Sequence, residues 1–86
     1  MDYRKLDARL SEALAENDED ARYEVFVEVA QDLAPDEAAR LKELGVYRKG
    51  DLDTVVTAHL GRKDLDAVSE LPGVRQVRLG RRLRQV

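Results

Sequence analysis

The stretch from Thr54 to Leu79, TVVTAHLGRKDLDAVSELPGVRQVRL, constrains the fold more than any other part of the chain. Its first residues, Thr54–Leu60, are rich in β-branched side chains and contain neither Gly nor Pro, which is typical of a strand. Residues Arg62–Leu71 then carry one apolar stripe at helical spacing, formed by Leu65, Val68 and Leu71. A Pro-Gly pair ends this helix, and Val74–Leu79 resumes as an extended run. The stretch therefore predicts strand, helix and strand, a unit that belongs to a larger sheet.

The residues before this unit supply the rest of that sheet. The segment YEVFVEV, Tyr23–Val29, alternates strictly, so its valines face one side while the other side carries Glu24, Phe26 and Glu28. Pro35 suits the first turn of a helix that extends to the Gly following residue 44. Val46–Lys49 is a weaker strand candidate, which a short turn joins to the next strand as a hairpin.

The resulting order, βαββαβ, is the ferredoxin-like or split βαβ arrangement, so the chain is predicted to be an α+β protein. We expect a four-stranded antiparallel sheet with both helices on one face, preceded by an N-terminal amphipathic helix over Asp2–Glu16 that is either docked or frayed. The expected strands are 23–30, 46–50, 54–60 and 74–79, and the expected helices are 35–44 and 62–71. Residues 1–22 would form the N-terminal helix and an acidic linker, 23–79 the domain, and 80–86 an extended C-terminal tail. The predicted core comprises Val25, Val27, Val29, Leu41, Leu44, Val56, Ala58, Leu60, Leu65, Val68, Leu71, Val74 and Val77.

Length and composition limit the classes of function. The chain of 86 residues suffices for one small domain and not for a deep, enclosed active site. The absence of Cys excludes a disulfide framework and a thiolate zinc site. The sequence contains no apolar run of the roughly 20 residues that span a bilayer, and no signal peptide. We therefore expect no membrane partner, a cytoplasmic location if the chain is free-standing, and secretion if it is processed from a precursor.

Charge is distributed unevenly along the chain. Residues 1–53 carry 15 acidic and 8 basic residues, a net charge of −7, whereas residues 54–86 carry 3 acidic and 7 basic residues, a net charge of +4. The last twelve residues contain no acid and five of these bases, namely Arg75, Arg78, Arg81, Arg82 and Arg84. Such a segment favours phosphate or an acidic protein surface as its partner.

The sequence offers no set of residues for catalysis or for metal binding. His59 is the only histidine, and the alternation of its strand places it on the side opposite to Ala58 and Leu60. A catalytic base needs a nucleophile and an orienting carboxylate within reach, whereas Ser11 and Ser69 lie on predicted helices outside any recognisable motif. No second histidine stands at metal-ligand spacing. We expect neither an enzyme nor a bound cofactor or metal, and an interface or surface role for His59.

Five segments in a fixed order carry a resemblance to a known family: YEVFVEV, a helix ending in ELGV, VVTAHL, a helix bearing Leu65 and Val68, and ELPGVRQV. Together they resemble the propeptides of subtilisin-like serine proteases, a family that also includes free-standing protease inhibitors of the same fold. The resemblance covers Tyr23 to Val86, and the ordered set with PGV-x-x-V is more specific than any single piece. It implies an inhibitor and folding chaperone whose open sheet face packs on two surface helices of the protease, while its tail lies in the substrate cleft like a bound product.

Transferred to this sequence, the resemblance assigns two groups of binding residues. The open sheet face would consist of Phe26, Thr57, His59 and Gln76. The tail in the cleft would consist of Leu83, Arg84, Gln85 and Val86, with Leu83 filling an apolar pocket of the protease. One departure from the family pattern concerns the residues just after the last strand, where family members often carry acids that cap helices of the protease. Here Arg78-Leu79-Gly80 stand, so either the partner presents acids at that place or the docking differs.

Two other classes of function remain open. One is a self-associating ferredoxin-like regulatory module, whose sheets pair edge to edge or face to face. The other is an RNA-binding domain, which in this fold stacks bases on aromatic residues of the central strands. Only Phe26 is available for stacking, and its neighbours Glu24 and Glu28 would repel phosphate, so we expect no nucleic-acid partner. Phe26 would instead anchor a protein partner or be covered by the N-terminal helix or a second copy, and the free chain is expected to be a monomer.

Overall fold

A computed structural model describes residues 1–16, 20–50 and 53–83, which form three α-helices and a three-stranded antiparallel sheet. In chain order, a 3₁₀ turn at Tyr3–Lys5 is followed by α1 (Ala8–Ala15), β1 (Arg22–Val29), α2 (Pro35–Glu43), β2 (Val55–Gly61), α3 (Arg62–Ser69) and β3 (Val74–Leu83). The strand order is β2-β1-β3, and both outer strands run antiparallel to β1. β2 and β3 are therefore parallel to each other, and α3 connects them across the inserted β1. The α+β class and the antiparallel sheet are confirmed.

One hydrophobic core lies between the helices and a single face of the sheet. The alternation of β1 buries Tyr23, Val25, Val27 and Val29, and the same cluster contains the apolar sides of the three helices, including Leu10, Leu14, Leu41, Leu65 and Val68. Burying each Leu or Val side chain contributes about 1.5–3 kcal/mol relative to leaving it exposed. All predicted core residues are buried except Leu44 and Leu71, which are half-buried. Because the helices share this one core, the opposite face of the sheet carries no helix within the described residues.

The predicted fourth strand, 46–50, is wrong for the part of the chain that the structure describes. Gly45 has a φ of 95°, and the backbone N–H of Val46 donates to the carbonyl of Leu41 at 2.9 Å while that of Gly45 donates to Lys42 at 3.1 Å. These bonds are the Schellman end of α2, and Val46 is buried against that helix end. The β-branched side chain that suggested a strand therefore completes a helix terminus, and β2 becomes an edge of the sheet.

The predicted helix over Asp2–Glu16 is wrong as a continuous element, because it divides at Asp7. The Asp7 carboxylate accepts the backbone N–H of Leu10 at 3.0 Å and so caps α1, while its second acceptor bond comes from the N–H of Leu79 at 3.3 Å. Leu6 forms a parallel bridge with Val77, so the residues before α1 cover part of the outer edge of β3. The N-terminal segment is docked in the core rather than frayed, since Leu10 and Leu14 are almost fully buried.

The predicted end of the last strand at Leu79 is also wrong. After a register shift between Glu24 and Val25, β3 continues to pair with β1 as far as Leu83. The shift leaves Gly80 as the extra residue of β3, a β-bulge that lets the strand continue beyond the Gly. Residues 80–83, predicted to begin a free tail, therefore belong to the sheet. Residues 84–86 of the predicted tail lie outside the described part of the chain.

Candidate protein-docking face

The face of the sheet opposite the helices, here called the open face, presents side chains of all three strands in register, four each from β1 and β3 and three from β2. Its central row contains Phe26 with its Cα partners Thr57 and Arg78, so an aromatic ring stands in the middle of the face. The two flanking rows are Glu24 with His59 and Arg81, and Glu28 with Val55 and Gln76. The alternation of β1 produces this arrangement, because the same strand turns its valines into the core.

Phe26 is supported by the bulge in β3. A β-carbon placed on Gly80 would lie 3.1 Å from ring carbon Cε2 and 3.3 Å from Cζ, and 3.1 Å from the carbonyl oxygen of Glu24. The ring therefore packs over the backbone of Gly80, where a β-carbon would lie closer than ordinary van der Waals contact to both the ring and the Glu24 carbonyl oxygen. This contact leaves Phe26 half-buried and holds its ring on the open face.

Glu24 organises the row beside Phe26. One oxygen of its carboxylate, Oε2, lies 3.1 Å from Nε2 of His59 and 3.5 Å from Nε of Arg81, so it links all three strands. The Glu24 side chain is 21% exposed, whereas those of His59 and Arg81 are 55% and 69% exposed. The negative charge of Glu24 is therefore partly offset by groups of the two neighbouring strands. The smaller net charge reduces the repulsion that an acidic partner surface would meet at this face.

The two serines considered in the sequence analysis do not lie on the face of His59. Ser69 is fully buried at the other side of the sheet, where its hydroxyl donates to the carbonyl of Asp66 at 2.9 Å and accepts the N–H of Asp2 at 3.0 Å. Ser11 lies on α1, on the helix side as well. The side-chain contact of His59 on this face is with the Glu24 carboxylate.

A recess of about 410 Å³ adjoins Phe26 and extends toward the start of α1. Its lining combines apolar surface with charged groups and comprises Asp7, Arg9, Phe26, Val55, Arg78 and Leu79. Asp7 accepts two backbone N–H groups, as described above, and is thereby held in place. A volume of this size suits one or two side chains of a partner protein.

The structure brings together the four residues assigned to the face from the sequence: Phe26, Thr57, His59 and Gln76. Leu83, assigned to the cleft-binding tail, is the last residue of β3 and the Cα partner of Arg22. Arg84, Gln85 and Val86 lie outside the described residues. Sequence analysis did not include Arg78 or Arg81 in the face. Arg78 follows Gln76 by two residues, so plain alternation places it there, whereas Arg81 reaches the face only through the bulge that a Gly inside a strand can signal.

The outer edge of β2 is a second exposed feature. Its seven residues, VVTAHLG, include no Asp, Glu, Lys, Arg or Pro, which are the usual protections of an exposed edge. A groove of about 200 Å³ runs along this edge, lined by Tyr47, Lys49, Asp53, Val55, Val56 and Thr57. Tyr47 and Val55 are 61% and 48% exposed, so two large apolar side chains lie at the edge where the predicted strand 46–50 is not formed in the described part of the chain.

Within the described residues, no helix has the length and apolar character needed to cross a membrane. The same residues hold no cluster of three or more His, Asp or Glu side chains suited to binding a metal ion. No family model, no curated protein and no solved structure matches this chain.

Proposed function

We propose that this chain is an inhibitor and folding chaperone of a subtilisin-like serine protease, built on a ferredoxin-like arrangement whose fourth strand is not formed in the described residues. The observation that carries the proposal is the open face, where a half-buried Phe26 stands at the centre of a sheet whose three helices all lie on the other side. A central aromatic surrounded by polar side chains is the usual anatomy of a protein-binding face. The partner, a subtilisin-like protease, is inferred from the resemblance of the five ordered segments to protease propeptides.

In this proposal the C-terminal residues act as a product analogue in the substrate cleft. Leu83 ends β3, so the described sheet leads directly into residues 84–86. For Leu83 to enter an apolar pocket, the end of β3 must separate from its partner Arg22. Residues at the end of a β-ladder lose their pairing at low free-energy cost. Burying the Leu83 side chain in the pocket would contribute about 1.5–3 kcal/mol to binding.

The decisive experiment measures inhibition of a panel of purified subtilisin-like proteases by the full chain and by two variants. Phe26→Ala should raise the inhibition constant by tenfold or more, a loss of at least about 1.4 kcal/mol in binding. Tyr3→Ala is the matched control, because Tyr3 is an exposed aromatic (55%) on the N-terminal turn and not on the open face. Inhibition that is equally strong with Phe26→Ala, or no inhibition of any protease by the full chain, would refute the proposal.

A second candidate function is a self-associating regulatory module, favoured by the uncharged, exposed edge of β2. Because Tyr47 and Val55 lie at this edge, a second copy could extend the sheet without placing like charges opposite each other. Sedimentation analysis of the free chain distinguishes the two functions. A dimer that Val55→Lys dissociates would support the module, whereas a monomer at all accessible concentrations would reject it.

A further inference from the structure

The arginines of β3 differ in whether the chain itself pairs them. Arg81 lies 3.5 Å from Glu24, and Arg82 pairs with Glu16. Arg75 and Arg78 are exposed and make no ion pair within residues 1–16, 20–50 and 53–83. Two cations of this strand are therefore available to a partner.

Arg78 is the one of these two that adjoins the anchor of the open face. It is the Cα partner of Phe26 on β1, and both residues line the recess described above. Arg9 of α1 lines the same recess, is exposed and likewise makes no ion pair among the described residues. The only carboxylate of the lining, Asp7, accepts two backbone N–H groups and forms an ion pair with neither arginine in this part of the chain.

We propose that the partner protease presents one or more carboxylates to this side of the face, where Arg78 and Arg9 receive them beside an apolar side chain that fills the recess next to Phe26. This inference rests on the function proposed above and specifies the chemistry of the partner surface. A guanidinium binds a carboxylate through two parallel N–H donors, which gives both affinity and orientation. The chain as a whole has a net charge of −3, so attraction to an acidic surface must come from this local arrangement.

The contact of Arg78 and Arg9 with carboxylates predicts a negatively charged partner surface, opposite in sign to the one that the family pattern implies. The sequence resemblance aligns Arg78-Leu79-Gly80 with the place where propeptides of the family often carry acids, and in this structure these residues lie within β3 and its bulge. A protease surface that accepts acids from a propeptide would repel this face. The inhibitor should therefore discriminate among proteases by the sign of the charge on their docking helices.

The test uses the full chain and the protease that it inhibits most strongly in the panel. Arg78→Glu should raise the inhibition constant by at least tenfold at low ionic strength and by a smaller factor at high ionic strength, because salt screens the repulsion. Arg78→Lys, which keeps the charge and loses the two-pronged geometry, should give an intermediate value. Lys63→Gln is the control, since Lys63 is exposed on α3, on the helix side of the sheet, and should leave inhibition unchanged.

Two negative results of this inhibition test have different meanings. If the unmodified chain inhibits one or more proteases and Arg78→Glu inhibits them equally well at low salt, the acidic partner surface is refuted while the proposed function stands. If the unmodified chain inhibits no protease, the proposed function is refuted, and this inference with it. Melting curves of all variants exclude a loss of fold as the cause of weaker inhibition.

Discussion

The ring of Phe26 on β1 packs over Gly80, the bulged residue of β3, and a β-carbon on Gly80 would approach the ring to 3.1 Å. The position of the Phe26 ring is therefore tied to the absence of a side chain at the bulge. Because the same β-carbon would also lie 3.1 Å from the Glu24 carbonyl oxygen, movement of the ring alone cannot relieve the contact.

Gly80→Ala should consequently destabilise the domain by about 1–3 kcal/mol, the usual range for overpacking. A double-mutant cycle with Phe26→Ala, measured by chemical denaturation, separates the two contacts. We expect the double variant to recover part of the loss through the missing ring and to retain the part due to the Glu24 carbonyl. Strictly additive effects of the two substitutions would show that the ring does not pack on Gly80.

The central position of β1 in the core leads to a second prediction. Val27 is fully buried and has Val56 and Val77 as its Cα partners on the two neighbouring strands. Val27→Asp would place a carboxylate there without a partner, at a cost of several kcal/mol against a total stability of about 5–15 kcal/mol for a small domain. The variant should be unfolded at room temperature by circular dichroism.

Thr57→Asp is the matched control for this substitution, because Thr57 lies on the open face of the neighbouring strand and is exposed. Its stability should change by no more than about 0.5 kcal/mol, as is usual for surface positions. A Val27→Asp variant that melts cooperatively near the temperature of the unmodified chain would contradict the assignment of the two faces of the sheet.

Much of this arrangement follows from local patterns in the sequence. The alternation in Tyr23–Val29 predicts both the buried valines and the position of Phe26 on the opposite face, and the stripe of Leu65 and Val68 predicts α3. The stripe of leucines in the N-terminal segment predicts a helix, although its inclusion in the main core depends on tertiary packing, which the pattern does not specify.

The features that sequence analysis missed arise from competition between local structures. Val46 suits a strand, yet its N–H completes the end of α2, since Gly45 adopts the left-handed conformation that this motif requires. At Gly80 the sequence suggested the end of a strand, whereas the glycine permits a bulge beyond which pairing resumes. Both outcomes depend on backbone hydrogen bonds that hydrophobic periodicity does not reveal.

The N-terminal amine leads to a prediction about pH. The Met1 ammonium lies 2.7 Å from carboxylate oxygens of both Asp66 and Glu70, and hydrogen bonds to these two groups raise its pKa from 8.0 to about 10. Because the pKa is higher in the folded state, the stabilisation is fully present below pH 8.0 and is lost as pH rises through about 10. The contact attaches the start of the chain to α3.

Denaturation midpoints measured from neutral to alkaline pH check this prediction. The unmodified chain should be more stable than the Asp66→Asn/Glu70→Gln variant at neutral pH, and the two curves should converge once the amine is deprotonated. Since the remaining titratable groups are common to both chains, their contributions largely cancel in the difference. A stability difference that stays constant across the alkaline range would mean that the Met1 amine is not the group responsible.

The last prediction concerns the C-terminal residues. Deleting them distinguishes a chain that inhibits as a product analogue from one that binds the protease by its open face alone. Deleting Leu83–Val86 removes only the final described residue of β3 and leaves the pairs of β1 with Arg81 and Arg82 in place. Stability should therefore fall by less than about 1 kcal/mol, because strand ends contribute little to global unfolding. The inhibition constant should nevertheless rise at least tenfold, corresponding to about 1.4 kcal/mol of lost binding.

A second truncation assigns that loss to a particular side chain. Deleting only Arg84–Val86 keeps Leu83, which should provide most of the tail's binding energy through burial in an apolar pocket. We expect this shorter deletion to weaken inhibition less than Leu83→Ala in the full-length chain does, because the Arg and Gln side chains would remain largely in solvent. Steady-state inhibition assays and melting curves on the same preparations measure both effects. Equal inhibition by the unmodified chain and the Leu83–Val86 deletion would reject the product-analogue mechanism and leave the open face as the whole binding surface.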